Sequence, residues 1–204
     1  KMLHCVTRGK KSDVAVGDSI NATPTAKGQA VIESINERRS LLYRSDQYKS
    51  KLLAANIDQL FIVVATEPGF SDDLVSRALV AAEAAEIEVH LILNKIDMTD
   101  RLEKARERIG FYASLGYPVH EVSATALPDQ TLANLMPAVR NRTSVLIGQS
   151  GMGKSSLINL LVPGADIATQ EISTVLNSGK HTTTYTRMYR IDEDTAVVDS
   201  PGFQ

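Results

Sequence analysis

The residues Gly148-Gln149-Ser150-Gly151-Met152-Gly153-Lys154-Ser155-Ser156 have the form G-x-x-x-x-G-K-S. The chemistry served by that spacing is a grip on a polyphosphate. Glycines let the backbone curl until successive amides and a helix N-terminus point at negative charge. Lys154 is then placed to reach the outer phosphates, and the Ser155 hydroxyl to sit on magnesium. The flanks agree with this use. TSVLI (143–147) is apolar and β-branched like a buried strand, and SLINLL (156–161) reads as the start of a helix.

A second group, Asn94-Lys95-Ile96-Asp97, closes another apolar run, VHLILNKID. Open α/β sheets present their ligand loops at such strand ends. There the Asp97 carboxylate can accept from guanine N1 and its exocyclic amine, a donor pair that adenine lacks. Lys95 would cover the ring with its stem, and Asn94 would tie this loop to the phosphate loop. One strand later, Ser123-Ala124 would set a backbone amide against guanine O6.

Two further stretches complete the set. In Asp199-Ser200-Pro201-Gly202, Asp199 would hold magnesium through a water and the Gly202 amide would contact the terminal phosphate. Phe203 follows, where many GTPases carry the glutamine that orients the attacking water, so that work falls to another group or to a partner. In Gly179-Lys180-His181-Thr182-Thr183-Thr184, a threonine would close over magnesium, with Thr183 mildly preferred among the three, and His181 could orient or polarise the water. His4, His90 and His120 lie in strand-like text and are expected only to pack.

Strands alternating with helices must carry these loops. From Leu60 onward the pattern is LFIVVAT, a helix over 72–86 capped by Ser71, VHLILNKID, a helix ending at Gly116, PVHEVSA, the helix TLANLMPAVRN, the phosphate-loop strand, and two last strands. That is a predominantly parallel α/β sheet with one antiparallel member. The text from Leu3 to Arg44 differs: short strands are separated by turn residues, with VAVGDSINAT as one strand and PTAKG as a turn. A small β-barrel of OB type is the expectation, short of its first strand because KMLHCV opens in mid-strand. The boundaries expected are a barrel over 1–45, a polar linker over 46–56 and the nucleotide domain over 57–204.

Composition limits the alternatives. Cys5 is the one cysteine, which excludes a disulfide framework and a cysteine zinc site and suits a reducing cytoplasm. No apolar run is long enough to span a bilayer, so no membrane partner is expected. The net charge of −2 conceals an asymmetry: residues 1–56 carry 10 Lys and Arg against 5 Asp and Glu, and the remainder carries 12 against 19. A basic front on an acidic body suggests contact with a polyanion. With Tyr43 the lone aromatic in the barrel text, that contact would be to phosphate backbone and shape rather than to bases.

Motif order is the decisive feature. An ordinary GTPase places the phosphate loop first and the base-reading loop late. Here the order is NKID, VSA, GQSGMGKSS, GKHTTT, DSPG, the same parts cyclically rotated. Together with VAVGD, LLYRSD, KLLAANID and DSPGF, this order resembles the circularly permuted GTPases of the RsgA/YjeQ type. The resemblance implies a circularly permuted P-loop GTPase domain behind an OB-fold, GTP hydrolysis with magnesium, stimulation by the small ribosomal subunit and a role in its late maturation. It also implies barrel contact with ribosomal RNA, His181 in place of the missing glutamine, and a zinc-binding domain that would follow Gln204. A monomer is expected. Two other functions fit the residues: a nucleotide-gated RNA-binding module whose hydrolysis times release, and an ATP-using P-loop kinase should Asp97 not read guanine.

Overall fold

The computed structural model describes residues 2–8, 13–45, 50–167 and 186–200. The front of the chain forms β1 (His4–Thr7), β2 (Ile20–Ala26), β3 (Gln29–Ile35), β4 (Leu41–Ser45) and β5 (Ser50–Ala55). They make two small sheets, one in the order β1-β3-β2 and one of β4 with β5, joined by a bridge from Val16 to Ala54. Among the described residues these pairings do not close a ring.

Three local expectations are corrected here. VAVGDSINAT is not one strand, because the Asp18 carboxylate folds back onto the Ala15 amide at 2.7 Å and β2 starts only at Ile20. Pro24 to Ala26 belongs to β2 rather than to the turn. Proline is tolerated there because β2 is an edge strand and the missing amide costs no ladder bond. Residues 50–55, expected in a polar linker, form β5 instead, paired antiparallel to β4. Buried Leu53, Ala54 and Ala55 drive that pairing more strongly than the polar residues ahead of them oppose it.

The rest is one six-stranded sheet. Its strands are β6 (Gln59–Ala65), β7 (Glu88–Asn94), β8 (Val119–Glu121), β9 (Thr143–Ile147), β10 (Arg187–Arg190) and β11 (Ala196–Asp199). They lie in the order β10-β11-β9-β6-β7-β8, parallel except for β10 against β11. Central strands covered on both faces read as unbroken apolar runs, and β6 is buried at every position. The helices are α1 (Asp72–Ala84), α2 (Leu102–Ser114), α3 (Pro128–Val139) and α4 (Lys154–Leu161). Ser71 caps α1 by accepting the Leu74 amide at 3.4 Å, and Asp72 and Asp73 place negative charge in its first turn. Among the described residues no helix is long and apolar enough to cross a membrane.

Strand order, not strand direction, reverses between β9 and β6: from β6 the sheet grows through β7 to β8, and from β9 it grows the other way to β11. The carboxyl ends of β6, β7, β9 and β11 therefore gather at one edge, around a topological switch point where such sheets bind ligands. At depth, His90 does more than pack. It lies 5.0 Å from the Phe61 ring, and its Nδ1 is 3.0 Å from His120 Nε2, while His120 Nδ1 is 2.7 Å from Asn134 Oδ1. Burial, assisted by His90, holds His120 below the usual imidazole value against the opposing bond to Asn134. The His4 side chain is exposed on β1.

Candidate functional site

The phosphate loop runs from β9 into α4 in the strand–loop–helix order the motif requires. Gly148 packs so closely on β6 that a Cβ there would overlap the Val63 carbonyl. Gly153 has φ +88, the left-handed region, and a Cβ there would overlap the Asn94 side-chain amide. These two glycines are therefore required by close backbone approach. Met152, between them, is buried, while Ser150 is exposed at the loop tip with Gly151 beside it. Gly153 caps α4 without a side-chain hydrogen bond, so no side chain of the cap competes for the first amides of the helix. Ser155 and Ser156 stand half-buried in that first turn.

Lys154 turns back over its own loop, and its Nζ donates to the Gly148 carbonyl at 2.6 Å and to the Gln149 carbonyl at 3.0 Å. Burial depresses the ammonium's pKa, and the nearby Asp199 carboxylate opposes that shift. Asp199 ends β11, itself buried and opposite Leu146 of β9. A carboxylate from the end of β11 and an ammonium from the start of α4 thus flank the loop.

Asn94, buried at the end of β7, is the hinge between loops. Its Nδ2 donates to the Met152 carbonyl at 2.9 Å, and its Oδ1 accepts the Ala124 amide at 3.2 Å. The tie between the Asn94–Asp97 loop and the phosphate loop is thereby present. Lys95 extends its Nζ to the Glu67 carbonyl at 2.8 Å. Asp97 accepts the Ser123 hydroxyl at 2.5 Å.

The Ser123-Ala124 backbone is bonded within the protein. The Ala124 amide meets Asn94, and the Ser123 amide donates to Thr131 Oγ1 at 3.2 Å. Both amides have protein acceptors, and the Ser123 hydroxyl reaches Asp97, a contact the residue pair alone did not suggest. Thr131 also donates to the Ser123 carbonyl at 2.9 Å. A signal for it existed: a threonine stands on the buried face of α3 with Leu135 and Val139. Gln149 has a second unforeseen role, since its Oε1 accepts the Ser71 amide at 2.8 Å and joins the phosphate loop to the start of α1.

Asn94, Lys95, Asp97, Ser123, Ala124, Gly148, Gly153, Lys154 and Asp199 are thus gathered at one sheet edge. His181, the three threonines 182–184 and Gly202 lie outside the described residues. The assembled side sets the glycine-bearing loop, the start of α4 and the Lys154 ammonium together. Along the same edge stands the Asp97 carboxylate held by the Ser123 hydroxyl.

The chain is similar to known proteins. The profile of the RsgA GTPase family matches residues 35–204. A protein of Burkholderia pseudomallei described as small ribosomal subunit biogenesis GTPase RsgA is 58% identical over 203 residues, covering 100% of this chain. One of the same description from Paraburkholderia phytofirmans is 56% identical over 208 residues. The chain spans 65% of the length of the first of these relatives. Among solved structures, YjeQ from Thermotoga maritima superposes with a TM-score of 0.68 at 32% identity, over 98% of this chain and 66% of that one. YloQ, described as a circularly permuted GTPase, shares the fold with a TM-score of 0.64 at 24% identity, over 100% of this chain and 64% of that one.

Proposed function

The chain belongs to the RsgA GTPase family, and on that premise we propose that it binds guanine nucleotide and hydrolyses GTP as the core of a factor for small ribosomal subunit biogenesis. The observation that carries this is Asn94, whose side chain joins the Asp97 loop, the Ser123-Ala124 segment and the phosphate loop into one hydrogen-bonded unit. Its relatives bear the description of small ribosomal subunit biogenesis GTPase, and the basic front of the chain suits a ribosomal RNA partner. A cytoplasmic location and a monomeric state accompany this reading.

In this function the Gly148–Gly153 backbone and the α4 N-terminus hold the phosphates, and Lys154 exchanges its two carbonyl partners for phosphate oxygens. Asp97, oriented by Ser123, accepts from guanine, and the Lys95 stem covers the ring. Ser155, Thr183 and Asp199 are the residues that would hold magnesium. The buried Asp199 carboxylate, near enough to Lys154 to oppose its depression, is the hard oxygen donor such an ion needs beside the phosphates. When bound, the ion supplies neutralisation of charge developing on the phosphoryl oxygens. His181 would orient the attacking water and Gly202 would contact the terminal phosphate.

The experiment is turnover of GTP and ATP by the full-length protein with and without small ribosomal subunits. GTP hydrolysis that rises with subunits, and no use of ATP, is the expected result. Equal use of ATP overturns the guanine reading, and unstimulated turnover overturns the ribosomal one. His181→Ala should keep GDP affinity and lower stimulated turnover.

A further inference from the structure

The connection between β6 and α1, residues 66–71, meets both halves of the site. Its Glu67 carbonyl accepts Lys95 Nζ at 2.8 Å, and its Ser71 amide donates to Gln149 Oε1 at 2.8 Å. One short loop therefore holds the lysine expected over the base and the glutamine of the loop expected under the phosphates.

That loop is itself fixed from behind. The Thr66 amide donates to the Asn94 carbonyl at 3.1 Å. Arg101 pairs with the Glu67 carboxylate at 2.9 Å. Arg108, reaching across from α2, donates to the Phe70 carbonyl and to Asp72, each at 2.7 Å, and its guanidinium lies 4.1 Å over the Phe70 ring. Phe70 is buried, whereas Pro68 and Gly69 face solvent. Both ends of the loop are thus anchored around an exposed tip.

A lysine tethered at its ammonium has already lost the rotamer freedom that ligand binding would otherwise remove. Lys95 Cε lies 4.0 Å from the position a Cβ on Gly153 would take, so the tethered stem passes beside the phosphate loop. A shift of the 66–71 loop would move Lys95 and Gln149 together.

We infer that the 66–71 loop is a positioning clasp, acting through Lys95 on one side and Gln149 on the other, that makes the grips on base and phosphate cooperative. The inference rests on the guanine-nucleotide function proposed above and adds an element outside the nucleotide motifs. Glu67, Ser71 and Arg108 are positioning residues, because their contacts run to Lys95, Gln149 and the loop itself.

The test is a double-mutant cycle on the full-length protein, with Lys95→Ala and Gln149→Ala, reading GDP affinity by displacement of a fluorescent GDP. Loss of either anchor loosens the clasp, so the double variant should bind GDP at least about threefold better than the product of the single effects predicts. Multiplicative single effects overturn the clasp while leaving the nucleotide reading intact. Failure of the unaltered protein to bind GDP overturns both. Arg108→Gln should hasten GDP dissociation about tenfold at temperatures well below unfolding, and should abolish the coupling between the two anchors. A purely structural role for Arg108 would lower the melting temperature and leave dissociation unchanged, which also overturns the clasp. If Arg108→Gln does not fold, Arg101→Gln replaces it, with an expected change of about twofold to threefold, and no change overturns the inference.

Discussion

The Asn94 side chain donates to the Met152 carbonyl at 2.9 Å, across 58 residues of sequence, and both groups are buried. In a permuted chain the base loop precedes the phosphate loop, and this bond fixes their separation whatever the order of synthesis. Asn94→Leu leaves the buried Met152 carbonyl and Ala124 amide without their partner. The expected loss is about 2–4 kcal/mol of stability, with GDP affinity falling at least about tenfold. Denaturant unfolding and a GDP titration on one preparation check both. Unchanged GDP affinity would mean that the two loops are held in place by other contacts.

Gly148 and Gly153 should fail in different ways when each is replaced by alanine. The Gly148 Cβ meets the backbone carbonyl of Val63 in a central strand, which cannot yield, so stability should fall by about 3 kcal/mol. The Gly153 Cβ meets the Asn94 amide, which can yield only by giving up its bond to Met152, and the positive φ adds about 1–2 kcal/mol. Gly153→Ala should therefore lose at least as much stability as Asn94→Leu and resemble it in GDP affinity. A Gly153→Ala variant as stable as the unaltered protein would contradict this.

Much of this was legible before any coordinates. β6, β7 and β9 are apolar runs because parallel central strands are buried on both faces, and the motifs sit at their ends, so the sheet and its ligand edge follow from the text. Residues 50–55 were not legible, since their pairing with β4 depends on a register that local composition does not encode. Nor was the role of Ser123. A two-residue motif fixes neither where an amide points nor that Thr131, eight residues on, takes the Ser123 amide. Contacts made by side chains distant in sequence, such as Gln149 to Ser71, carry no periodicity from which to infer them.

The Ser123 hydroxyl donates to Asp97 at 2.5 Å and holds the carboxylate in one orientation. Ser123→Ala should weaken GDP binding about tenfold by removing a hydrogen bond to a charged group. Asp97→Asn exchanges one acceptor oxygen for a donor amine, which suits the carbonyl of xanthine better than the amine of guanine. Preference should then move from GDP to XDP, read by competitive displacement. An Asp97→Asn variant still selective for GDP would remove Asp97 from base recognition.

Asp18 and Arg38 provide a test by pH. The buried Asp18 carboxylate accepts from Arg38 Nε at 2.7 Å and Nη2 at 2.8 Å, and from the Ala15 amide at 2.7 Å. Burial alone would raise its pKa, but these bonds outweigh it and hold the carboxyl below its usual value, while Arg38 is pushed further up and stays charged. A carboxyl whose folded pKa lies below its unfolded one, about 3.9, stabilises the fold fully above that unfolded value. The stabilisation fades as pH falls through the folded value. The segment concerned carries Val16, whose carbonyl accepts the Ala55 amide at 2.8 Å and links the two small sheets. Asp18→Asn should therefore lower stability by about 2 kcal/mol at pH 7. That deficit should shrink as pH is taken from about 5 to about 3. Urea unfolding of both proteins across this range checks the sign. A deficit that stays constant or widens toward acid would mean that the charge of Asp18 contributes nothing to this junction.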